Sequence, residues 1–146
     1  MRKRRIPVVG LVLLLALASA GCPKGSTTHK IIAAQHNFRI AVQAFQDAEV
    51  GIHNQPGGLI PDGLHIQIQE IIGKVARGGI DLDEALAANA PTSTIKTKLD
   101  SISTLLDSLN NDNLLGIKDT NTKLGLQTAL LTIKGIITTA ETWVTQ

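Results

Sequence analysis

Apolar residues recur every three or four positions through most of the chain after residue 30. The first series steps by three and four without a miss, and its members are Ile31, Ala34, Phe38, Ala41, Phe45, Ala48 and Ile52. This spacing places the apolar side chains on one face of a helix, at positions a and d of a heptad. In this frame Glu49 falls at position e and His53 at position b, which predicts that both side chains face water. The segment Pro56-Gly57-Gly58 predicts the end of this helix.

A second apolar stripe follows the turn Pro61-Asp62-Gly63, in which Asp62 can cap a helix. Its members are Leu64, Ile68, Ile71 and Val75. The pair Gly78-Gly79 predicts that this helix stops or kinks, because glycine is unfavourable inside helices. The segment Asp81-Leu82-Asp83-Glu84 has the D-x-x-E form of a capping box, which predicts a separate short helix through about Ala88.

Two further stripes complete the pattern. The third begins after Pro91, with Thr92 as a possible cap, ends at the polar segment 110–113, and contains Ile95, Leu99, Ile102, Leu106 and Leu109. The fourth begins near Thr122 and contains Leu126, Ala129, Ile133, Ile136, Ala140 and Trp143. As a member of this stripe, Trp143 is predicted to fill the core. Four helices with short connections predict an all-α fold, an antiparallel four-helix bundle over residues 29–146.

The first 22 residues have a different character. Residues 2–5 are all Arg or Lys, an apolar run extends from Ile6 to Ala18, and the small residues Ser19, Ala20 and Gly21 precede Cys22. A positively charged start, a short apolar run and small residues at the expected cleavage site are typical of a secretory signal peptide. The run is shorter than the roughly 20 apolar residues that a membrane-spanning helix needs. We therefore expect residues 1–21 to be removed during export.

The junction Ala18-Ser19-Ala20-Gly21-Cys22 resembles the lipobox of bacterial lipoproteins, with Ser19 where that family usually has an aliphatic residue. The resemblance implies cleavage between Gly21 and Cys22 and attachment of membrane lipid to the Cys22 thiol. It also implies the periplasmic face of the outer membrane, since Pro23 replaces the Asp that retains such proteins in the inner membrane. Cleavage after Ala20, leaving a soluble protein with a free thiol, is the alternative. The small polar residues 22–28 predict a flexible tether.

Charge and composition exclude several classes of function. Four of the 14 Lys and Arg residues lie at positions 2–5, so the exported chain has ten against 12 Asp and Glu, a net charge of −2. This slightly acidic balance and an aromatic content of 2% argue against nucleic-acid binding. The chain's single Cys excludes an intrachain disulfide and a zinc site built from several cysteines.

The candidate chemistry lies at the first helical hairpin. His53 and His65 flank this hairpin, and Glu49 precedes His53 by one turn. Imidazole and carboxylate groups together can bind a transition metal, so Glu49, His53 and His65 form a candidate metal site, with solvated histidines as the simpler interpretation. The sequence has no nucleophile elbow and no HExxH helix, and we predict neither enzyme activity nor a cofactor.

These observations predict a lipid-anchored helical bundle with a structural or protein-interaction role in the cell envelope. Its expected partners are membrane lipid, through acylated Cys22, and an unknown envelope protein. Two alternatives remain open: a lipoprotein that binds a metal or small ligand, and a self-associating scaffold in which the heptads pair between chains.

Overall fold

The computed structural model describes residues 26–146, which form a bundle of four α-helices. The helices are α1 (Thr27–His53), α2 (Asp62–Ala87), α3 (Thr92–Ser108) and α4 (Thr120–Val144). No β-strand occurs in this range. The predicted all-α four-helix architecture is confirmed.

The helices form a closed ring in which each packs against two others. Helices α1, α2, α3 and α4 contact their neighbours in chain order, and α4 also packs along α1. Within the first hairpin, Gln35 near the start of α1 contacts Gly79 late in α2, whereas Glu49 near the end of α1 contacts His65 early in α2. This order of contacts is that of an antiparallel pair, and the short connections reverse the chain direction at each later helix as well.

The heptad stripes form the core. Phe38 and Phe45 of α1 are almost completely buried, together with apolar residues from each of the other helices. One position of the second stripe differs from the prediction, because Ile72 is fully buried and Ile71 only partly. Trp143 packs against the core but is only half-buried, so the prediction that it fills the core is confirmed only in part.

Helix α2 passes through Gly78 and Gly79 without a break, so the predicted stop or kink is wrong. A Cβ atom at Gly79 would lie 2.6 Å from Cε1 of Phe38, and one at Gly78 would lie 2.9 Å from Cγ1 of Ile102. The two glycines therefore allow side chains of α1 and α3 to approach the backbone of α2. Because packing at these positions requires the absence of a side chain, tertiary contact outweighs the low helix propensity of glycine.

The predicted capping box at 81–84 is also wrong, because these residues lie inside α2. Asp83 forms an ion pair with Arg39 of α1 and accepts a hydrogen bond from Gln35. The helix continues to Ala87, close to the predicted end at Ala88, and Asn89 follows in the left-handed conformation with φ of 51°. The Ala90 N–H donates to the Ala85 carbonyl at 2.9 Å, as in a Schellman motif.

Side chains cap the starts of α1 and α4, whereas α2 and α3 follow Pro61 and Pro91 without a side-chain cap. The Ser26 hydroxyl accepts from the His29 N–H, so α1 already includes Thr27 and Thr28, which the tether prediction had assigned to a flexible segment. Asp119 caps α4, since its carboxylate accepts from the Thr122 N–H at 2.7 Å. Beyond α3 the backbone continues as a π-helical turn, Leu109–Asn113, and a 3-10 turn, Leu114–Gly116.

Candidate functional site

A second row of buried side chains lies beside the core stripe of α1. Gln35, Val42 and Glu49 are seven residues apart and all occupy position e, and their relative exposures are 3%, 3% and 0%. The prediction that Glu49 faces water is therefore wrong. Gln35 and Glu49 form hydrogen bonds with residues of α2, so the two polar members of this row lie at the contact between α1 and α2.

Glu49 is the centre of a polar cluster between α1 and α2. His65 Nδ1 lies 2.9 Å from Oε1 and 3.0 Å from Oε2 of Glu49, and the Gln69 side-chain amide donates to Oε2 at 2.5 Å. His65 and Gln69 are one helical turn apart, so both reach the same carboxylate from α2. An ionised carboxylate only accepts hydrogen bonds, so with Glu49 ionised the His65 ring donates to it through Nδ1. Glu49 is thus a buried acceptor with two polar partners.

His53 lies beside this pair at the end of α1. Its Nδ1 is 3.0 Å from the Ile60 carbonyl oxygen, and its Nε2 is 3.6 Å from Oδ1 of the exposed residue Asp62. The rings of His53 and His65 stack with centroids 3.9 Å apart and an angle of 5° between the planes. Because the carbonyl can only accept, His53 donates to it through Nδ1.

The structure brings the three predicted residues together, although not as three ligands around one point. Glu49 already accepts hydrogen bonds from His65 and Gln69, and the lone pairs of two parallel rings do not converge on one ion. Within residues 26–146 no group of three His, Cys, Asp or Glu side chains has a geometry that would hold a metal. Metal binding at Glu49, His53 and His65 stays a prediction that requires a change in the His53 or His65 rotamer.

Gln69 is the member of the cluster that sequence analysis missed. Its spacing of four residues from His65 was the available signal, since residues i and i+4 share a helix face. The partly exposed His53 and His65 rings make the cluster accessible from solvent at one end of the bundle. Chemically, the Glu49 carboxylate orients the His65 ring.

The ionisable groups on the other side of the bundle are ordinary surface pairs and one partly buried carboxyl. Burial raises the pKa of the Glu141 carboxyl, and the nearby carboxylate of Asp100 acts in the same direction. The hydrogen bond from Lys96 to Asp100 raises the pKa of the Lys96 ammonium group. These groups lie on α3 and α4, away from Glu49, and they form no cluster with it.

The predicted cleavage and lipidation residues, Gly21 and Cys22, lie outside the described residues. Within residues 26–146, none of the helices combines the length and apolar character needed to cross a bilayer. Comparison of the chain with protein-family models, curated proteins and solved structures gave no match.

Proposed function

We propose that this protein is a lipid-anchored helical-bundle lipoprotein of the bacterial cell envelope, with a structural or protein-interaction role. The observation that carries the proposal is the lipobox-like junction ending at Cys22, preceded by a basic start and a short apolar run. Acyl chains on Cys22 hold the protein at the periplasmic face of the outer membrane. Two or more acyl chains on one residue give durable anchoring, whereas a single chain is marginal.

The position of the bundle in the chain is compatible with such an anchor. The Ser26 cap of α1 follows Cys22 by four positions, which an extended chain spans in at most about 14 Å. The described core begins at Ile31. Cleavage and acylation at Cys22 would therefore leave the core of the bundle intact, and the folded domain would remain close to the lipid surface.

The outer face of α4 supports an interaction role. Leu124 and Leu131 lie seven residues apart on this face and are 62% and 64% exposed. Thr128 lies between them and is exposed, and its hydroxyl donates to the Leu124 carbonyl of its own helix. The charged residues of α4, which are Lys123, Lys134 and Glu141, are only partly exposed and do not lie on this face. An uncharged surface with exposed leucines suits contact with another envelope protein.

Metabolic labelling with palmitate in a bacterial host tests the anchor. We expect label in the full-length protein and an intact mass that corresponds to residues 22–146 plus acyl groups. Cys22→Ala should abolish both the label and membrane partitioning. Ser19→Leu, which restores the usual aliphatic residue, should keep both. Absence of label, together with a mature chain that begins at Gly21 and stays soluble, would refute the proposal in favour of simple export.

A second candidate function is transition-metal binding at the Glu49, His53 and His65 cluster. It is favoured by the fixed Nδ1 hydrogen bonds of both histidines, because metal-bound histidines usually donate their other ring N–H to a carboxylate or carbonyl. A ligand that binds only the folded state at 100 times its Kd stabilises it by about 2.7 kcal/mol. Zinc, copper, nickel or iron should then raise the Tm of the wild type and of His36→Ala, but not of His65→Ala. Unchanged Tm values with all four metals would exclude this function.

A further inference from the structure

The two ends of the bundle differ in charge. The first end, which we call the anchor-side end, consists of residues 26–30, 88–94 and 142–146, and these segments contain Lys30 but no Asp or Glu side chain. The second end, which we call the far end, consists of residues 54–63 and 109–121. It contains Asp62, Asp112 and Asp119 but only one basic side chain, that of Lys118. These outermost segments thus contain no acidic side chain, although Glu84 and Glu141 lie just behind them in the last turns of α2 and α4, whereas the far end is acidic.

The segments of the anchor-side end form one surface. A shallow cavity of about 230 Å³ is lined by residues from the start of α1, the end of α2, the start of α3 and the end of α4, among them Thr28, Leu86, Ile95 and Val144. Its lining is divided between small or polar residues, such as Asn89 and Thr92, and the aliphatic side chains of Ile31, Leu86, Ile95 and Val144. Hydroxyl and amide groups of this kind can exchange hydrogen bonds with lipid headgroups without the cost of desolvating a charge.

Trp143 belongs to the same end. Its side chain packs against the core and stays partly exposed, and Val144 next to it is also partly exposed. Tryptophan is enriched where proteins meet the membrane surface, because its ring is apolar and its indole N–H is polar. Trp143 is the only Trp in the chain, so its environment can be measured directly.

The anchor and this surface lie at the same end of the molecule. Cys22 precedes Ser26 by four positions, so lipid attached to Cys22 would lie within about 14 Å of the start of α1. The far end is separated from it by the 27 residues of α1, which at 1.5 Å per residue is about 40 Å. The surface of a bacterial membrane is anionic, so it repels carboxylates and attracts Lys30.

We infer that the anchor-side end docks on the lipid headgroups and that the bundle stands upright on the membrane, with Trp143 at the interface. The inference rests on the proposed function, since it requires lipid on Cys22. In this orientation Glu49 and His53, which follow Thr27 by 22 and 26 residues, lie about 33 and 39 Å above the docked end, and the cluster that they form with His65 faces the periplasm.

Quenching of tryptophan fluorescence by brominated lipids tests this orientation. The acylated full-length mature protein is reconstituted into phosphatidylcholine–phosphatidylglycerol vesicles with or without brominated acyl chains. We expect about a twofold loss of Trp143 emission in the brominated vesicles, because an interfacial ring lies at the upper acyl boundary. The matched control is Trp143→Phe combined with Gln55→Trp, which moves the single Trp to an exposed position at the far end. Its emission should not change.

The outcomes separate the orientation from the anchor. Vesicle flotation of the protein with unquenched Trp143 would overturn the docking inference and leave the lipid anchor standing. Equal quenching of Trp143 and of the Trp introduced at Gln55 would also overturn it, because the bundle would then lie on its side. A protein that carries no acyl groups and does not float with the vesicles would refute the proposed function, and the orientation with it. Circular dichroism of the double variant verifies that it is folded.

Discussion

Substitution of Gly79 by Ala isolates the contact between α1 and α2. A Cβ atom at Gly79 would lie 2.6 Å from Cε1 and 3.3 Å from Cδ1 of Phe38, whose relative exposure is 1%. The Phe38 ring is packed into the core and cannot swing into solvent. Gly73 is the matched control, because it lies in the same helix and a Cβ atom there would meet nothing within 4 Å.

Both substitutions add the higher helix propensity of alanine, but only Gly79→Ala also adds a clash with Phe38. Replacing glycine by alanine inside a helix stabilises a protein by about 1 kcal/mol. Forcing an extra carbon into a packed core costs about 1 to 3 kcal/mol. We therefore expect Gly73→Ala to raise the free energy of unfolding by about 1 kcal/mol. Gly79→Ala should lower it by about 1 kcal/mol, with the clash taken at the middle of its range.

Urea denaturation of the wild type and both variants measures these differences. The midpoint should move in opposite directions for the two alanines, with an unchanged m-value. Combining Gly79→Ala with Phe38→Leu should recover part of the loss, since the smaller side chain leaves room for the new methyl group. If Gly79→Ala stabilised the protein as much as Gly73→Ala, the packing of Phe38 against the α2 backbone would be refuted.

The remaining predictions concern the polar cluster, pH and assembly. Glu49→Ala should destabilise the protein by about 2 to 3 kcal/mol because two donors lose their buried acceptor. Substitution of the exposed Glu70 by Ala should change the free energy of unfolding by less than about 0.5 kcal/mol. Equal effects of the two substitutions in urea denaturation would contradict the buried cluster. Burial raises the pKa of Glu141 in the folded state, so the folded state binds the proton more tightly than the unfolded chain does. The stabilisation from this proton is fully present below the unfolded pKa and is lost as pH rises through the folded pKa. Glu141→Gln should therefore increase Tm at pH 7, with a gain that disappears as pH falls below the unfolded pKa; a gain that grows on acidification would reverse the assigned sign. Sedimentation velocity of the secreted, unacylated Cys22→Ser protein should show a monomer, because the heptad side chains are buried within one chain; a stable dimer would instead favour the scaffold alternative.

The periodicity of apolar residues predicted the helices and most of the core. It succeeded because a helix that buries one face must repeat apolar residues every three or four positions. Phe38, Phe45 and Leu99 are examples of predicted core residues that are buried to 1% exposure or less. The juxtaposition of His53 and His65 was also predictable, because a short connection between antiparallel helices brings the residues that flank it together.

The errors arose where the identity of a residue did not reveal its neighbour. Gly79 has the same helix propensity whether it breaks a helix or accommodates the Phe38 ring, so propensity alone predicted a break. Glu49 was placed in water because position e lies outside the a and d stripe of the heptad. The exception depends on His65 and Gln69, which donate to it from another helix. Contacts between helices decide such positions, and a one-dimensional pattern does not contain them.

The hairpin of α1 and α2 is fixed at two levels along its length. At one level the Phe38 ring abuts Gly79, and Gln35 donates to the carbonyl of the same glycine at 2.8 Å. At the other, Glu49 accepts from His65, and the 14 residues that separate it from Gln35 correspond to about 21 Å of helix. A slide of one helix along the other would disrupt both levels at once. The two levels therefore fix the register of α1 against α2, so any tilt of the bundle would move the two helices together.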